Sequence, residues 1–225
     1  MQRFIDFTLS GLALVVLLPI FVMVICILKM TGEGEVFFLQ KRIGINRNSF
    51  MVYKFATMLK NSENIGAGTL TMRNDPRVLP FGSFLRKTKI NELPQLYNIL
   101  IGDMSIIGPR PLVPEGEHHY PLHISSKIRS ITPGVTGIGS LILRDEESYY
   151  AHRTDAHDFY KDIIQPYKAS LELWYIENKS INLNIKILFF TVIAIVFSSF
   201  DPLKHFKNIP KIPKEMITSL SKAVD

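Results

Sequence analysis

The 225-residue chain has one cysteine, Cys26, and one tryptophan, Trp174. A lone thiol excludes an intrachain disulfide and any cysteine-rich zinc site, and it is compatible with a reducing compartment. Cys26 sits in an apolar run and no Gly-x-Ser-x-Gly elbow is present, so Ser or Cys nucleophilic catalysis finds little support. There is no GxGxxG and no P-loop, so the common nucleotide folds are not indicated. No internal repeat is visible. Charged residues are only 20% against 47% hydrophobic, a core-forming composition that excludes wholesale disorder. The length favours one domain over two. The 26 Lys and Arg exceed the 20 Asp and Glu, and a net charge of +6 favours an anionic partner: acidic lipid, nucleic acid or a phosphorylated substrate.

Phe7 to Leu28 contains no charged residue. About 20 apolar residues suffice to cross a bilayer as a helix. A secretory signal would be shorter and would end in small residues, whereas Lys29, Met30 and Thr31 follow here. Pro19 interrupts the run; proline removes a backbone donor and clashes with the preceding turn. The segment therefore spans with a kink or turns back at Leu18-Pro19. Basic residues after the run (Lys29, Lys41, Arg42, Arg47, Lys54, Lys60) outnumber Arg3 before it, which puts the main body in the cytoplasm. A second apolar run, Ile187 to Phe200, is too short for a span and reads as a buried or interfacial helix. The tail from Asp201 carries Pro202, Pro210 and Pro213 among lysines, and suits anionic lipid or solvent equally.

Between these runs, Val36–Gln40 and Phe50–Phe55 read as strands, separated by Gly44, Asn46 and Asn48. Asn61–Pro76 is polar and reads as a mobile loop. Phe81–Lys87 is a short helix candidate. Asn91 precedes apolar residues at helical spacing, which places Asn91 and Glu92 at a helix N-terminus with Asn91 as cap. The stretches GDMSIIGPRP (102–111) and PGVTGIG (133–139) are turn-rich, and Arg110 is held between two prolines. Asp158–Tyr175 is helical. The content is mixed, helix-rich α/β, without the alternation of a doubly wound sheet.

The strongest constellation is Arg86, Lys87, Lys89, Glu92 and Arg110. Arginines recognise phosphate bidentately, and a carboxylate beside them can act on a phosphate or hold a divalent cation. The plainer reading is a solvated basic turn with a capping pair. His118, His119 and His123 near Glu115 and Glu117 match no metal-ligand spacing and read as surface. Asp145, Glu146 and Glu147 read as a solvated acidic face, with magnesium binding as the alternative.

The stretches FLQKRIGINRNSFMVYKFATM, NDPRVLPFGSFLRKTKINELPQLYNILIGDMSIIGPRPL and ITPGVTGIGS closely resemble the bacterial sugar transferases, the monotopic phosphoglycosyl transferases that start surface-glycan assembly. The resemblance runs from the apolar N-terminus to about residue 195. It implies transfer of a sugar phosphate from a nucleotide-diphosphate sugar to polyprenyl phosphate, with release of the nucleoside monophosphate. Magnesium (Mg2+) is the implied cofactor, and a covalent sugar-phosphate enzyme on the Asp of an Asp-Glu pair is the implied intermediate. It further implies three regions: a re-entrant helix-break-helix over 1–30, a catalytic domain over 31–200 at the cytoplasmic face of the bacterial inner membrane, and a basic tail over 201–225. The implied form has no additional N-terminal membrane domain. Membrane lipid is an implied partner, downstream glycosyltransferases are candidate partners, and nucleic acid is not expected.

Residue by residue, Glu92 matches the pair's Glu and the implied metal ligand, Arg86 and Arg110 match phosphate-binding arginines, and Lys54 matches the basic residue of the Tyr-Lys-Phe stretch. Pro19 matches the helix-breaking proline, with Leu18 where the family often has Ser. Asn91 stands in place of the nucleophilic Asp, and Ala56 where a Lys or Arg is usual. An amide cannot form the phosphoryl intermediate. Three accounts stay open: Glu92 takes the nucleophile's role, the lipid phosphate attacks directly, or the chain is a degenerate member that binds substrate or serves assembly.

Overall fold

The computed structural model describes residues 2–31, 33–65, 70–72, 74–114, 120–151, 153–197 and 199–221. The apolar N-terminus forms two helices, α1 (Gln2–Val16) and α2 (Leu18–Met30), bent by 60° at Leu17. Pro19 lies in the first turn of α2, where its missing N–H costs nothing and its ring blocks continuation of α1. Among the described residues no single helix is long and apolar enough to cross a membrane, but this bent pair together has the length and composition.

The burial of α1 is inverted. Its buried residues are Asp6 and Ser10, while Phe4, Leu12 and Val15 are exposed. Asp6 accepts hydrogen bonds from Ser105 Oγ (2.7 Å) and the Ile106 N–H (3.1 Å). Arg3 donates to the carbonyls of Ile99 and Leu100, in the last turn of a later helix. α2 docks separately: Val24 and Leu28 pack with Val36, Phe55 and Leu85.

Strands β1 (Phe37–Ile43) and β2 (Ser49–Phe55) form an antiparallel hairpin, Phe37 opposite Phe55 and Ile43 opposite Ser49. Its turn uses Asn46 and Arg47 at positive φ. The polar stretch after it was expected from composition to be a mobile loop, but its described residues are tied down by side-chain hydrogen bonds. In its described part, the nearly buried Arg77 donates to the carbonyls of Ser62, Ile65 and Leu70 and pairs with Asp75 at 2.6 Å. One guanidinium thus supplies the backbone acceptors with partners that a sheet would otherwise provide.

Helix α3 (Pro80–Lys87) is followed by a 3-10 turn, Ile90–Glu92, entered through Lys89 at positive φ. Helix α4 begins only at Gln95 and ends at Ile101. The expectation of Asn91 as N-cap is corrected: Pro94 occupies that place, and the 3-10 turn faces Asn91 inward, where it is 8% exposed and caps nothing. Asn98 fixes α4 against the hairpin, accepting from the Tyr53 N–H at 3.0 Å and donating to the Met51 carbonyl at 2.8 Å.

Strand β3 (Ser105–Ile107) pairs in parallel with β4 (Gly134–Thr136), with α5 (Leu122–Arg129) between them. The rest is helical: α6 (Ile138–Ile142), α7 (Ala156–Phe159), a π turn over Tyr160–Ile164, α8 (Gln165–Asn178), α9 (Ile181–Val196) and α10 (Lys214–Ser221). Together with the two short sheets this is a mixed, helix-rich α/β fold. The largest core gathers Ile138, Leu141, Ile164, Leu171 and Ile187, and it also takes Phe206 and Met216 from the C-terminal tail. α9 buries Ile187 and Ala194 but exposes Ile185, Phe189 and Val192, an apolar outer face.

Candidate active site

One cavity of about 1790 Å³ is lined by Lys54, Arg86, Asn91, Glu92 and Arg110. Four separate elements supply them. Lys54 comes from β2, Arg86 from the last turn of α3, Asn91 and Glu92 from the 3-10 turn, and Arg110 from the strap between β3 and α5. Pro19, by contrast, lies at the helix bend and not in this cavity.

Arg110 is placed by its backbone. Pro109 and Pro111 restrict it, the Gly108 N–H bonds to Thr136 O at 3.0 Å, and the Gly134 N–H bonds to Pro109 O at 2.8 Å. This approach has no room for a side chain: a Cβ on Gly134 would lie 2.1 Å from the Gly108 nitrogen. The Arg110 guanidinium lies 3.7 Å from Glu92 Oε1. Glu92 also accepts from Gln95 Nε2 at 3.4 Å. Burial opposes ionisation of Glu92, but the charges of Arg110, Lys54 and Lys89 and the Gln95 amide outweigh it and hold its pKa below the usual carboxylate value. Glu92 is therefore an ionised carboxylate among cations. Burial, and then the nearby Arg42, Arg110 and Arg86, push Lys54 down to about 7, against the pull of Glu92.

Several lining residues were not singled out from sequence. Gln40 Oε1 accepts from Arg42 Nη2 (2.6 Å) and Lys54 Nζ (3.3 Å), tying the two cations together. Period-two alternation puts Gln40 and Arg42 on one face of β1, and that spacing was the available signal. The acidic run is a solvated face only at Asp145, which is exposed. Glu147 pairs with Arg86 at 3.3 Å, and Glu146 pairs with Lys168. Glu172 is 4% exposed and takes the Arg110 N–H at 3.4 Å. Its burial raises its pKa to about 7, with Arg110 and Lys168 opposing.

Among the described residues no three His, Cys, Asp or Glu gather as a metal site. His118, His119, Glu115 and Glu117 lie outside the described residues. Magnesium, however, commonly takes only one or two protein carboxylates and completes its shell with phosphate oxygens and water. Glu92 meets the first need. Asn91 Oδ1, buried in the same turn with no hydrogen-bond partner, offers a second, neutral oxygen. The donor set fits a phosphate-completed magnesium.

A family model described as bacterial sugar transferase matches residues 1–198. The chain is 34% identical over 209 residues to "Undecaprenyl-phosphate glucose phosphotransferase" of Komagataeibacter xylinus, covering 88% of this chain and 36% of that protein. It is 31% identical over 211 residues to "Exopolysaccharide production protein ExoY" of Sinorhizobium fredii, covering 88% and 86%. It is 34% identical over 194 residues to "UDP-glucose:undecaprenyl-phosphate glucose-1-phosphate transferase" of Escherichia coli, covering 85% and 39%. The chain thus spans little more than a third of two of these relatives and most of the third.

Proposed function

Because the chain belongs to the bacterial sugar transferase family, we propose that it transfers a sugar 1-phosphate from a UDP-sugar to undecaprenyl phosphate at a membrane surface, as a first step of exopolysaccharide assembly. The observation that carries the reading is the meeting of Lys54, Arg86 and Arg110 with one ionised carboxylate, Glu92, in a cavity large enough for a nucleotide sugar. An oxygen nucleophile attacks the phosphorus that bears the sugar, the phosphoanhydride bond breaks, and UMP leaves. The three cations bind the diphosphate and neutralise the charge that grows on its oxygens. Glu92 is the carboxylate on which the chemistry depends, because Asn91 beside it is an amide and supplies no nucleophile. Glu92 and Asn91 Oδ1 would hold magnesium, which when bound supplies charge neutralisation at the diphosphate.

The bent helix pair supports a re-entrant membrane segment. The start of α1 is tied to β3 and α4, and the end of α2 packs on the hairpin, so both ends belong to one body. The apolar outer faces of α1, α2 and α9 would then meet lipid, placing the protein at the inner membrane with its cavity in the cytoplasm.

The deciding experiment is release of UMP by the purified chain from UDP-glucose or UDP-N-acetylgalactosamine in the presence of undecaprenyl phosphate and magnesium. Lipid-dependent release supports the proposal. Binding of the nucleotide sugar with no release would make the chain a binder and not a transferase.

A further inference from the structure

The diphosphate and its cations account for only one side of the cavity. The far side, beyond Arg110, is built by α8 and α6. Gln165, Lys168 and Glu172 recur on α8 at i, i+3 and i+7, so they share one face of that helix. All three line the cavity, as does Ser140 of α6. Gln165 is 7% exposed and Glu172 is 4% exposed. Despite that burial, Gln165 Oε1, Glu172 Oε2 and Ser140 Oγ have no hydrogen-bond partner. Buried polar atoms are nearly always paired, so three orphans on one wall imply partners that arrive from outside.

The fold accommodates this wall at a cost to regular structure. The π turn Tyr160–Ile164 immediately precedes Gln165, and such turns are over-represented at functional sites because they re-aim the side chains that follow. Gly139 makes room for Glu172: a Cβ there would lie 2.5 Å from Glu172 Oε1. Lys168 is already taken, paired with Glu146 and donating to Tyr160 Oη at 3.3 Å. The wall is therefore rich in free acceptors and poor in free cations. That suits hydroxyl donors and does not suit a second phosphate.

We propose that Gln165, Glu172 and Ser140 form the subsite for the hydroxyls of the hexosyl ring of the donor. This rests on the reading of the chain as a UDP-sugar transferase. Arg110 links the two halves of the cavity: its guanidinium faces Glu92 while its backbone N–H faces Glu172. The hexosyl ring is joined through its anomeric oxygen to the phosphorus under attack, whereas the ribose hangs from the departing phosphate. A subsite one arginine away from Glu92 thus belongs to the hexose.

The test measures binding, so that it does not depend on turnover. The chain, in detergent or nanodiscs, is titrated with UDP-glucose, UDP-N-acetylgalactosamine and UDP. Gln165→Leu and the near-isosteric Glu172→Gln are each expected to weaken the better of the two sugar nucleotides by roughly 10-fold or more, because hydroxyls left against unmatched atoms are strongly penalised. UDP affinity should change by less than about 2-fold, since it lacks the ring that these residues contact. Equal weakening of UDP and UDP-sugar would overturn the proposal, since the wall would then serve ribose or phosphate. Unchanged affinity in both variants would also overturn it, the orphan atoms being served by water. Glu172→Gln preserves shape, so an unfolded Gln165→Leu does not remove the test. If the unaltered chain binds neither sugar nucleotide, the transferase reading fails and the subsite with it. Discrimination without turnover would keep the subsite and reject only the transferase reading.

Discussion

Asp6, in the first helix, accepts a 2.7 Å hydrogen bond from Ser105 at the start of β3. With Arg3 held on the α4 carbonyls, it ties the beginning of an apolar segment to the body that also receives the segment's end. Single-cysteine labels at Gln2 and Lys41, in a Cys26→Ser background, should both react from the cytoplasmic side only. Labelling of position 2 from the opposite side would reject the re-entrant topology. Pro19→Leu should shift some molecules to a spanning form, and adding Asp6→Leu should shift more.

Arg110→Ala should reduce turnover or substrate affinity by roughly 10-fold or more, the size expected for a charge-assisted contact. Arg110→Lys should recover only part, because an ammonium lacks the planar fork. Initial-rate measurements with the better donor decide this, and full activity in Arg110→Ala would remove the residue from the site.

Glu92→Gln should abolish UMP release. Asn91→Asp should raise it, since a new carboxylate beside Arg110 and Lys54 would be held ionised by the same charges that ionise Glu92. Undiminished release by Glu92→Gln would reassign the catalytic carboxylate.

Lys54 titrates at about 7 in the free protein, so at pH 8 it is mostly neutral. A bound diphosphate favours the charged form and raises that pKa. Binding at pH 8 should therefore take up protons, and binding at pH 6 should take up almost none. Calorimetry with UDP-glucose in buffers of different ionisation enthalpy reads this directly, because that ligand has no group titrating near neutrality. Lys54→Arg should bind without uptake, arginine being always charged. Persistent uptake in Lys54→Arg would assign the proton elsewhere.

Arg77→Met should destabilise the fold by about 3–5 kcal/mol, because it leaves Asp75 and three backbone carbonyls buried without their partner. Asp75 has its pKa lowered from 3.8 to about 2. A depressed carboxylate stabilises above its unfolded value, so this contribution is complete above pH 3.8 and is lost as pH falls through about 2. Thermal melts of both proteins across that window test it.

The elements set by short-range rules were legible in the sequence. The hairpin followed from two β-rich runs around an Asn- and Gly-bearing turn, and the helix bend followed from Pro19. The part that failed depends on distant partners. Asn91 looked like a cap because capping is read from a few neighbouring residues, but Pro94 moved the helix start forward and the cavity claimed Asn91. The stretch around Arg77 looked mobile because no local pattern reveals that one guanidinium gathers three carbonyls. Glu146 and Glu147 looked solvated because their partners, Lys168 and Arg86, lie far away in sequence. Arg86, Glu92 and Arg110 were grouped from their phosphate-binding chemistry, whereas Lys54 joined them only through the family resemblance, since its spacing from them along the chain has no period.

The close approach of Gly108 and Gly134 has a genetic consequence. Even alanine at Gly134 would place its Cβ 2.1 Å from the Gly108 nitrogen. Relief requires the strap to lift, and the strap carries Arg110. Loss-of-function alleles should therefore collect at these two glycines, which do not line the cavity, as readily as at the charged residues themselves. A suppressor of such an allele would be sought across the joint, in the facing strand, and not around the bound ligand.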